Sequence, residues 1–196
     1  MRIVGGSLRG RRLATPPDRS LRPTAERTRE SLFDLLTQGR AVSGADAVAG
    51  ATVLDAFAGT GALGIEALSR GAESAVFLEK SSAACYLIRQ NLMSFELSDR
   101  ARVQQGDAVH PPPAIRPVDL CLMDPPYGSE LEEEAVIALA RAGWIGPETL
   151  IALERAAKDK ASLPPNAEVL DDRRYGRARI LLFRLLPSNQ EPTTQP

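Results

Sequence analysis

Val53-Leu-Asp-Ala-Phe-Ala-Gly-Thr-Gly-Ala-Leu-Gly64 contains the clearest structural pattern in the chain. An apolar run ends in the carboxylate Asp55, and three glycines follow it in G-x-G-x-x-G spacing. The pattern of residues 62–70 then predicts a helix that stops at Gly71. Glycines at these positions let backbone N–H groups approach a ligand and let a helix pack closely on a strand. The stretch therefore predicts a strand, a tight turn and a helix.

A second acidic residue follows the next apolar run. Glu79 ends Ala75-Val-Phe-Leu-Glu79 and lies 20 residues after Gly59. In sheets of this kind, an acidic residue about 20 residues beyond the glycines hydrogen-bonds a ribose. No Gly-Lys-Ser/Thr follows the glycines, which excludes a Walker phosphate loop. The two features together predict a cofactor that contains a nucleoside.

Length and composition describe an ordinary globular protein. The 196 residues are 43% hydrophobic, which predicts one domain with a core and a small extension. No apolar run approaches the roughly 18 residues of a membrane helix, and Met1 to Ser7 lack the apolar centre of a signal peptide. Cys85 and Cys121 are expected to be buried free thiols. We therefore expect a cytoplasmic protein with no metal site and no membrane partner, a monomer by default.

The net charge of −1 hides an asymmetry along the chain. Residues 1–40 contain nine arginines and four acidic residues, whereas the remainder contains 15 basic and 21 acidic residues. Eight of those arginines lie between Arg2 and Arg29. A basic start on an acidic body predicts a polyanionic partner that contacts the N-terminus.

The order of elements predicts an α/β fold. Residues 1–23 are expected to form a basic β-hairpin and linker, residues 24–186 the main domain, and residues 187–196 a disordered tail. Thr24 is expected to cap a helix that runs to Gln38. Strands are predicted at 52–57, 75–79, 101–105, 118–123 and 149–154, and helices at 62–70, 81–95 and 130–141. A hairpin about Tyr175-Gly176 is expected to close this mostly parallel sheet with an antiparallel last strand.

The fourth predicted strand ends in Asp124-Pro-Pro-Tyr127. Ligands of open α/β sheets bind at the carboxyl ends of the strands, where the strand order reverses. Asp124 is therefore expected beside the glycine turn. Pro125 and Pro126 fix the backbone there, and Tyr127 supplies a flat aromatic face.

This combination suits methyl transfer to the exocyclic amine of a base. The lone pair of such a nitrogen is delocalised into the ring, which makes the nitrogen a poor nucleophile. Hydrogen bonds from its N–H groups to Asp124 and to the carbonyl of Pro125 would hold it pyramidal and stabilise its developing positive charge. Tyr127 would stack on a base that has been extruded from its strand. The sulfonium of S-adenosylmethionine is already a strong methyl donor, so no metal is needed.

At this point the chain resembles a known family. Asp55-Ala-Phe-Ala-Gly-Thr-Gly61 followed by Asp124-Pro-Pro-Tyr127 resembles the S-adenosylmethionine-dependent amino-methyltransferases. More narrowly, the chain is similar to the bacterial family that methylates guanine N2 in small-subunit (16S) ribosomal RNA. The more specific matches are N-terminal: Arg2-Ile-Val-Gly-Gly6, Gly10-Arg11, Leu21-Arg-Pro-Thr24, Arg27, Arg29-Glu30 and Leu32-Phe33. The resemblance implies a Rossmann-like class I methyltransferase sheet with an N-terminal β-hairpin for RNA.

The resemblance also implies roles for individual residues. The cofactor S-adenosylmethionine would be bound by Asp55, Phe57, Gly59, Thr60, Gly61, Glu79, Lys80, Asp107 and Ala108. Among these, Asp55 and the glycine turn would hold the methionine part, Glu79 the ribose hydroxyls, and Asp107 the adenine amine. The target guanine would be held by Asp124, Pro125, Pro126 and Tyr127. Phosphates of ribosomal RNA, free or in the small subunit, would be contacted by Arg2, Arg9, Arg11, Arg12, Arg22 and Arg27.

Three alternatives stay open at this level. A nicotinamide dehydrogenase shares the glycine spacing, but it leaves Asp124 and Tyr127 without a role. A non-catalytic RNA-binding protein could keep the fold. Methylation of adenine N6, or of DNA, is a nearer rival, because the Asp-Pro-Pro-Tyr motif binds an amine and does not identify the base.

Overall fold

The computed structural model describes residues 1–16, 23–39, 44–126, 128, 131–159 and 162–187. Within these ranges, seven strands are formed by Thr52–Ala56 (β1), Ser74–Glu79 (β2), Ala101–Gln105 (β3), Leu120–Met123 (β4), Leu150–Ala156 (β5), Ala167–Tyr175 (β6) and Ala178–Leu185 (β7). The same described residues form four α-helices, Pro23–Gln38 (α1), Ala62–Ser69 (α2), Ser82–Ser94 (α3) and Glu132–Arg141 (α4). The predicted tail from residue 188, the centre of the linker at 17–22 and residues 40–43 lie outside the described residues.

All seven strands form one sheet in the order β3-β2-β1-β4-β5-β7-β6. Strands β1 to β5 are parallel, and β7 pairs antiparallel with both β5 and β6. The strand order reverses between β1 and β4, which is where open α/β sheets bind their ligands. The predicted mostly parallel sheet with an antiparallel last strand is therefore confirmed.

Alternation along the strands builds a core on each face of the sheet. On β4, Leu120 and Leu122 belong to the cluster packed under α1, α2 and α3, whereas Cys121 and Met123 belong to the cluster packed under α4. Successive side chains of a strand point to opposite faces, so a strand covered on both sides is apolar throughout. Trp144 lies in the α4 cluster and donates its indole N–H to the carbonyl of Pro112 at 2.8 Å.

Helix α1 begins one residue before the predicted cap. It starts at Pro23, so Thr24 lies inside the first turn and the prediction that Thr24 is the cap was wrong. Proline is favoured at the first helical position because its missing N–H has no partner there in any case. Leu32, Phe33 and Leu36 form the buried stripe of α1, as their spacing predicts.

Residues 1–14, hereafter the N-terminal segment, form two antiparallel stretches that pack on the body of the protein. Arg2 and Arg12 form a single antiparallel bridge, and residues 6–8 between them form a 3-10 turn. Ile3 and Leu13 are buried in the same apolar cluster as α1 and α2. The predicted hairpin is therefore present without a long ladder, and tertiary packing supplies most of its contacts.

Within the described ranges, no helix has the length and hydropathy needed to cross a membrane.

Candidate active site

The turn after β1 has a left-handed backbone at three positions. Phe57, Gly59 and Gly61 have φ angles of 62°, 57° and 78°. A Cβ added to Gly59 would meet nothing closer than 3.9 Å, so the backbone conformation accounts for glycine there. A Cβ on Gly64 would lie 2.4 Å from the ring of Phe77, so this third glycine permits the close packing of α2 on β2. Phe57 adopts the same backbone region without being glycine, which is uncommon and concentrates at functional sites.

Asp55 lies beneath this turn, fully buried at the end of β1. Its Oδ2 accepts a hydrogen bond from the backbone N–H of Gly64 at 2.8 Å, at the start of α2. Burial, together with repulsion from Asp124 and Glu79, raises the pKa of Asp55 well above its ordinary value, although the Gly64 N–H opposes the shift. Asp55 therefore connects β1 to α2 through a hydrogen bond, and the charges of Asp124 and Glu79 both affect its pKa.

Glu79 holds the glycine turn from the neighbouring strand. Its Oε2 accepts the backbone N–H of Gly59 at 2.8 Å, and its Oε1 accepts the N–H of Ser81 at 2.7 Å. One carboxylate thus orients the turn after β1 and the residue that caps α3. Each oxygen keeps a second lone pair, so Glu79 can also accept hydrogen bonds from ligand hydroxyls.

Asp107 follows β3 and is oriented by two donors. Its Oδ1 accepts the N–H of Val109 and its Oδ2 accepts Lys80 Nζ, each at 3.2 Å. Burial opposes ionisation, but these hydrogen bonds and the charge of Lys80 lower the pKa of Asp107. Lys80 is exposed and Ala108 is buried beside them. Exposed ion pairs contribute little, so Lys80 can leave Asp107 at small cost.

Asp124 lies on the other side of the glycine turn. It follows Met123, which pairs with Ala56 of β1, just as Glu79 follows Leu78, which also pairs with Ala56. Glu79 and Asp124 therefore lie on either side of Phe57. The backbones of Glu79 and Asp124 are two strand spacings apart, about 10 Å.

The two prolines after Asp124 have different environments. Asp124 and Pro126 are exposed, whereas Pro125 is buried. Tyr127 lies outside the described residues. The structure thus brings together the predicted residues after β1, β2, β3 and β4 on one edge of the sheet.

Three of the predicted RNA-binding arginines lie together, and the other three do not join them. Arg2, Arg9 and Arg27 line one groove of about 340 Å³ between the N-terminal segment and α1, where they alternate with Glu26 and Glu30. Arg11 lies elsewhere, with its Nη2 donating to the carbonyl of Ser94 at 2.6 Å and its guanidinium 4.6 Å from the ring centre of Phe95. Arg12 is exposed, and Arg22 lies outside the described residues.

Several buried polar residues that were not predicted hold the N-terminal segment, among them Glu66, Asn91 and Ser69. Glu66 of α2 accepts the backbone N–H groups of Val4 at 2.9 Å and Gly5 at 2.7 Å. The same carboxylate pairs with Arg29 at 3.4 Å and with Arg70 at 2.9 Å. The detectable signal was a lone acid in the otherwise apolar helix Ala-Leu-Gly-Ile-Glu-Ala-Leu-Ser.

Asn91 of α3 is the second of these residues. Its Oδ1 accepts the N–H of Ala14 at 2.9 Å, and its Nδ2 donates to the carbonyls of Ala14 at 3.1 Å and Thr60 at 3.3 Å. Thr60 belongs to the glycine turn, so one side chain joins that turn to the N-terminal segment. A single asparagine in a helix carries no sequence signal for such a role.

The described residues place three carboxylates in a row and offer no metal site. Asp55, Glu79 and Asp107 follow one another across β1, β2 and β3, a width of about 10 Å. Asp55 is buried, whereas Glu79 and Asp107 are partly exposed beside the open space above Gly59. Within the described ranges, no three His, Cys, Asp or Glu side chains are grouped as metal ligands would be.

Comparison with known proteins adds a family likeness to this geometry. The sequence model of the family described as Conserved hypothetical protein 95 matches residues 1–184. The chain is 32% identical to the ribosomal RNA small subunit methyltransferase D of Escherichia coli K12, over 94% of this chain and 89% of that protein. It is 33% identical to the protein of the same name from Haemophilus influenzae, over 94% and 92%. The solved structure of Escherichia coli yhhF matches with a TM-score of 0.78 and 33% identity, over 94% and 97%.

Proposed function

The chain belongs to the Conserved hypothetical protein 95 family, and from this membership we propose that it transfers a methyl group from S-adenosylmethionine to the N2 amine of a guanine in small-subunit ribosomal RNA. The names of its relatives support a methyltransferase acting on this RNA. The observation that carries the proposal is that Glu79 and Asp124 flank the glycine turn at the point where the strand order reverses. A cofactor site and an amine-binding carboxylate then share one edge of the sheet.

The cofactor would lie along the ends of β1, β2 and β3. Asp55 and the turn from Gly59 to Gly61 would hold its methionine part, with Phe57, Thr60, Lys80 and Ala108 beside it. Glu79 would accept its ribose hydroxyls through the lone pairs that Gly59 and Ser81 leave free. Asp107 would accept the adenine amine in place of Lys80. When bound, S-adenosylmethionine supplies a methyl group on a positively charged sulfur.

The residues after β4 would position and activate the N2 amine of the target guanine. The carboxylate of Asp124 and the carbonyl of Pro125 would accept its two N–H groups, so that its lone pair turns out of the base plane. These acceptors also stabilise the positive charge that develops as the N–C bond forms and the S–C bond breaks. The nitrogen then loses one proton, and we assign Asp124 to receive it. Pro126 keeps this backbone rigid, and Tyr127 is proposed to stack on the flipped base.

RNA would reach this edge across the N-terminal segment. Arg2, Arg9 and Arg27 share one groove, and Arg11, Arg12 and Arg22 would extend the phosphate contacts. Removing residues 1–14 is a poor test, because Ile3 and Leu13 belong to the core. Replacing exposed Arg9 and Arg12 by alanine removes charge and leaves the packing in place.

Methyl transfer from labelled S-adenosylmethionine to unmodified small-subunit RNA, free and in subunits, tests the proposal. After digestion to nucleosides, we expect the label in N2-methylguanosine. Label in N6-methyladenosine would keep the mechanism and overturn the choice of base. Cofactor binding without transfer to either substrate would contradict the catalytic proposal.

A further inference from the structure

We propose that the turn between β6 and β7 is a second phosphate-binding surface for the RNA substrate, with Arg174 and Arg177 as its contacts. This inference rests on the proposed function, because it concerns how the same RNA is held. It adds a surface on the opposite side of Asp124 from the glycine turn.

The pairing of the strands brings this turn to the edge of the sheet that carries the site. Ala178, the first residue of β7, pairs with Ala156, the last residue of β5, and also with Tyr175. Since β5 is parallel to β4, the turn after Tyr175 lies at the carboxyl edge. An antiparallel hairpin entering from the other edge would have its turn far from Asp124.

The turn also rises above the end of β4. Met123 pairs with Leu153, three residues before Ala156. At about 3.3 Å per residue, the turn stands roughly 10 Å above Met123, and two strand spacings separate it sideways by about 10 Å. A separation on the order of 15 Å from the Asp124 backbone corresponds to about four stacked nucleotides at 3.4 Å each. RNA whose base enters the site can therefore reach this turn within about four nucleotides.

Some arginines of the hairpin form ion pairs with aspartates, and others do not. Arg173 donates to Asp171 at 2.7 Å, and Arg179 donates through Nε to Asp172 at 2.7 Å. Arg174 and Arg177 are exposed, and within the described part of the chain neither has an acidic partner. Both aspartates are thus already paired. Arg174 donates through Nε to the carbonyl of Gly176 at 3.4 Å, which leaves its Nη groups and the Arg177 guanidinium available for phosphate.

The turn is held in place by its backbone and by one aromatic residue. The N–H of Ala157 donates to the carbonyl of Arg177 at 2.8 Å. Tyr175 packs against the apolar cluster beneath α1 and α2. Because the scaffold is fixed, phosphate binding orders only the two arginine side chains.

The test compares R174A/R177A with the matched variant R116A/R141A. Arg116 and Arg141 are equally exposed, but they lie near the opposite edge, where the carbonyl of Ala142 accepts the N–H of Ala114 ahead of β4. Binding to unmodified small-subunit RNA is measured at a series of salt concentrations. R174A/R177A should bind about three- to tenfold more weakly at moderate salt, and the slope of log K against log salt should be smaller by about 1.4.

The control should match the wild type, and R174K/R177K should restore the slope because it keeps both charges. Equal slopes for wild type and R174A/R177A, or equal losses in both alanine variants, would overturn the surface and leave the methyltransferase proposal standing. A wild-type protein that neither binds nor methylates this RNA would overturn both. Cofactor affinity, measured on every variant, should be unchanged because none of these arginines touches the proposed cofactor site.

Discussion

Asp124 is the residue on which the proposed chemistry depends most directly. Asp124→Ala should lower the turnover number by about 100-fold or more, because the attacking nitrogen loses its charged acceptor. Cofactor affinity should stay within about twofold, since Asp124 follows β4 and lies outside the row across β1, β2 and β3 that the cofactor is proposed to occupy. Single-turnover methyl transfer and calorimetry on the same preparation measure both. Turnover equal to the wild type would remove Asp124 from the mechanism.

Glu79 should act on the cofactor and not on the methyl-transfer step itself. Glu79→Ala removes the acceptor of Gly59 and Ser81 and the proposed ribose acceptor, so S-adenosylmethionine should bind about 10- to 100-fold more weakly. Glu73→Ala is the control, because Glu73 is an exposed acid just before the same strand. Unchanged affinity by calorimetry would contradict the assignment.

Asp55 should make stability depend on pH. The pKa of Asp55 is raised in the folded protein. Below about pH 4 the carboxyl is therefore neutral in both the folded and the unfolded protein, and its ionisation does not lower the free energy of unfolding. As pH rises, the unfolded chain ionises first, and the Asp55 contribution to stability is progressively lost until the folded pKa is passed. The melting temperature of Asp55→Asn minus that of the wild type should therefore increase from pH 4 to pH 7. A difference that does not change with pH would show that Asp55 ionises normally.

At the scale of elements, the N-terminal segment depends on one carboxylate of α2. Glu66→Ala leaves buried Arg29 without its partner and leaves the N–H groups of Val4 and Gly5 without their acceptor. We expect a loss of about 3–5 kcal/mol in the free energy of unfolding. Urea denaturation, with exposed Glu73→Ala as the control, measures it. A loss no larger than that of the control would show that Glu66 is not needed to hold the segment.

The elements themselves were predictable wherever local pattern and tertiary environment agree. Strands β1 to β5 lie within about two residues of their predicted bounds because each is an apolar run bounded by turn residues. The start of α1 was missed by one residue, because both Pro23 and Thr24 carry a start signal. The N-terminal segment was predicted as a hairpin facing RNA, and its inward contacts were missed. A basic composition does not reveal that Ile3 and Leu13 are buried.

The meeting of the predicted site residues at one edge of the sheet was predictable for a different reason. Parallel strands bring their carboxyl ends to one edge, so the residues after β1, β2, β3 and β4 had to meet once the strands were known. Glu66 carried only the signal of a lone acid in an apolar helix, and Asn91 carried none, because their partners in the N-terminal segment are backbone groups 61 to 77 residues away. A backbone acceptor or donor leaves no trace in the identity of its residue.

For the whole molecule, binding of a ligand should raise the free energy of unfolding and the melting temperature. S-adenosylmethionine at 100 times its dissociation constant should stabilise the protein by about 2.7 kcal/mol, or roughly 5–10 °C in melting temperature. If the proposed function is right, NAD at equal concentration should leave the melting temperature unchanged. A shift with NAD and none with S-adenosylmethionine would favour a dehydrogenase.

The contacts of the N-terminal segment also limit how early it can form during synthesis of the chain. Gly5 must wait for Glu66, and Ala14 must wait for Asn91, which lies 77 positions later. At about 5–20 residues per second, translation needs roughly 4–15 seconds to supply that asparagine. The native contacts of residues 1–14 therefore cannot be complete until α3 has been synthesised.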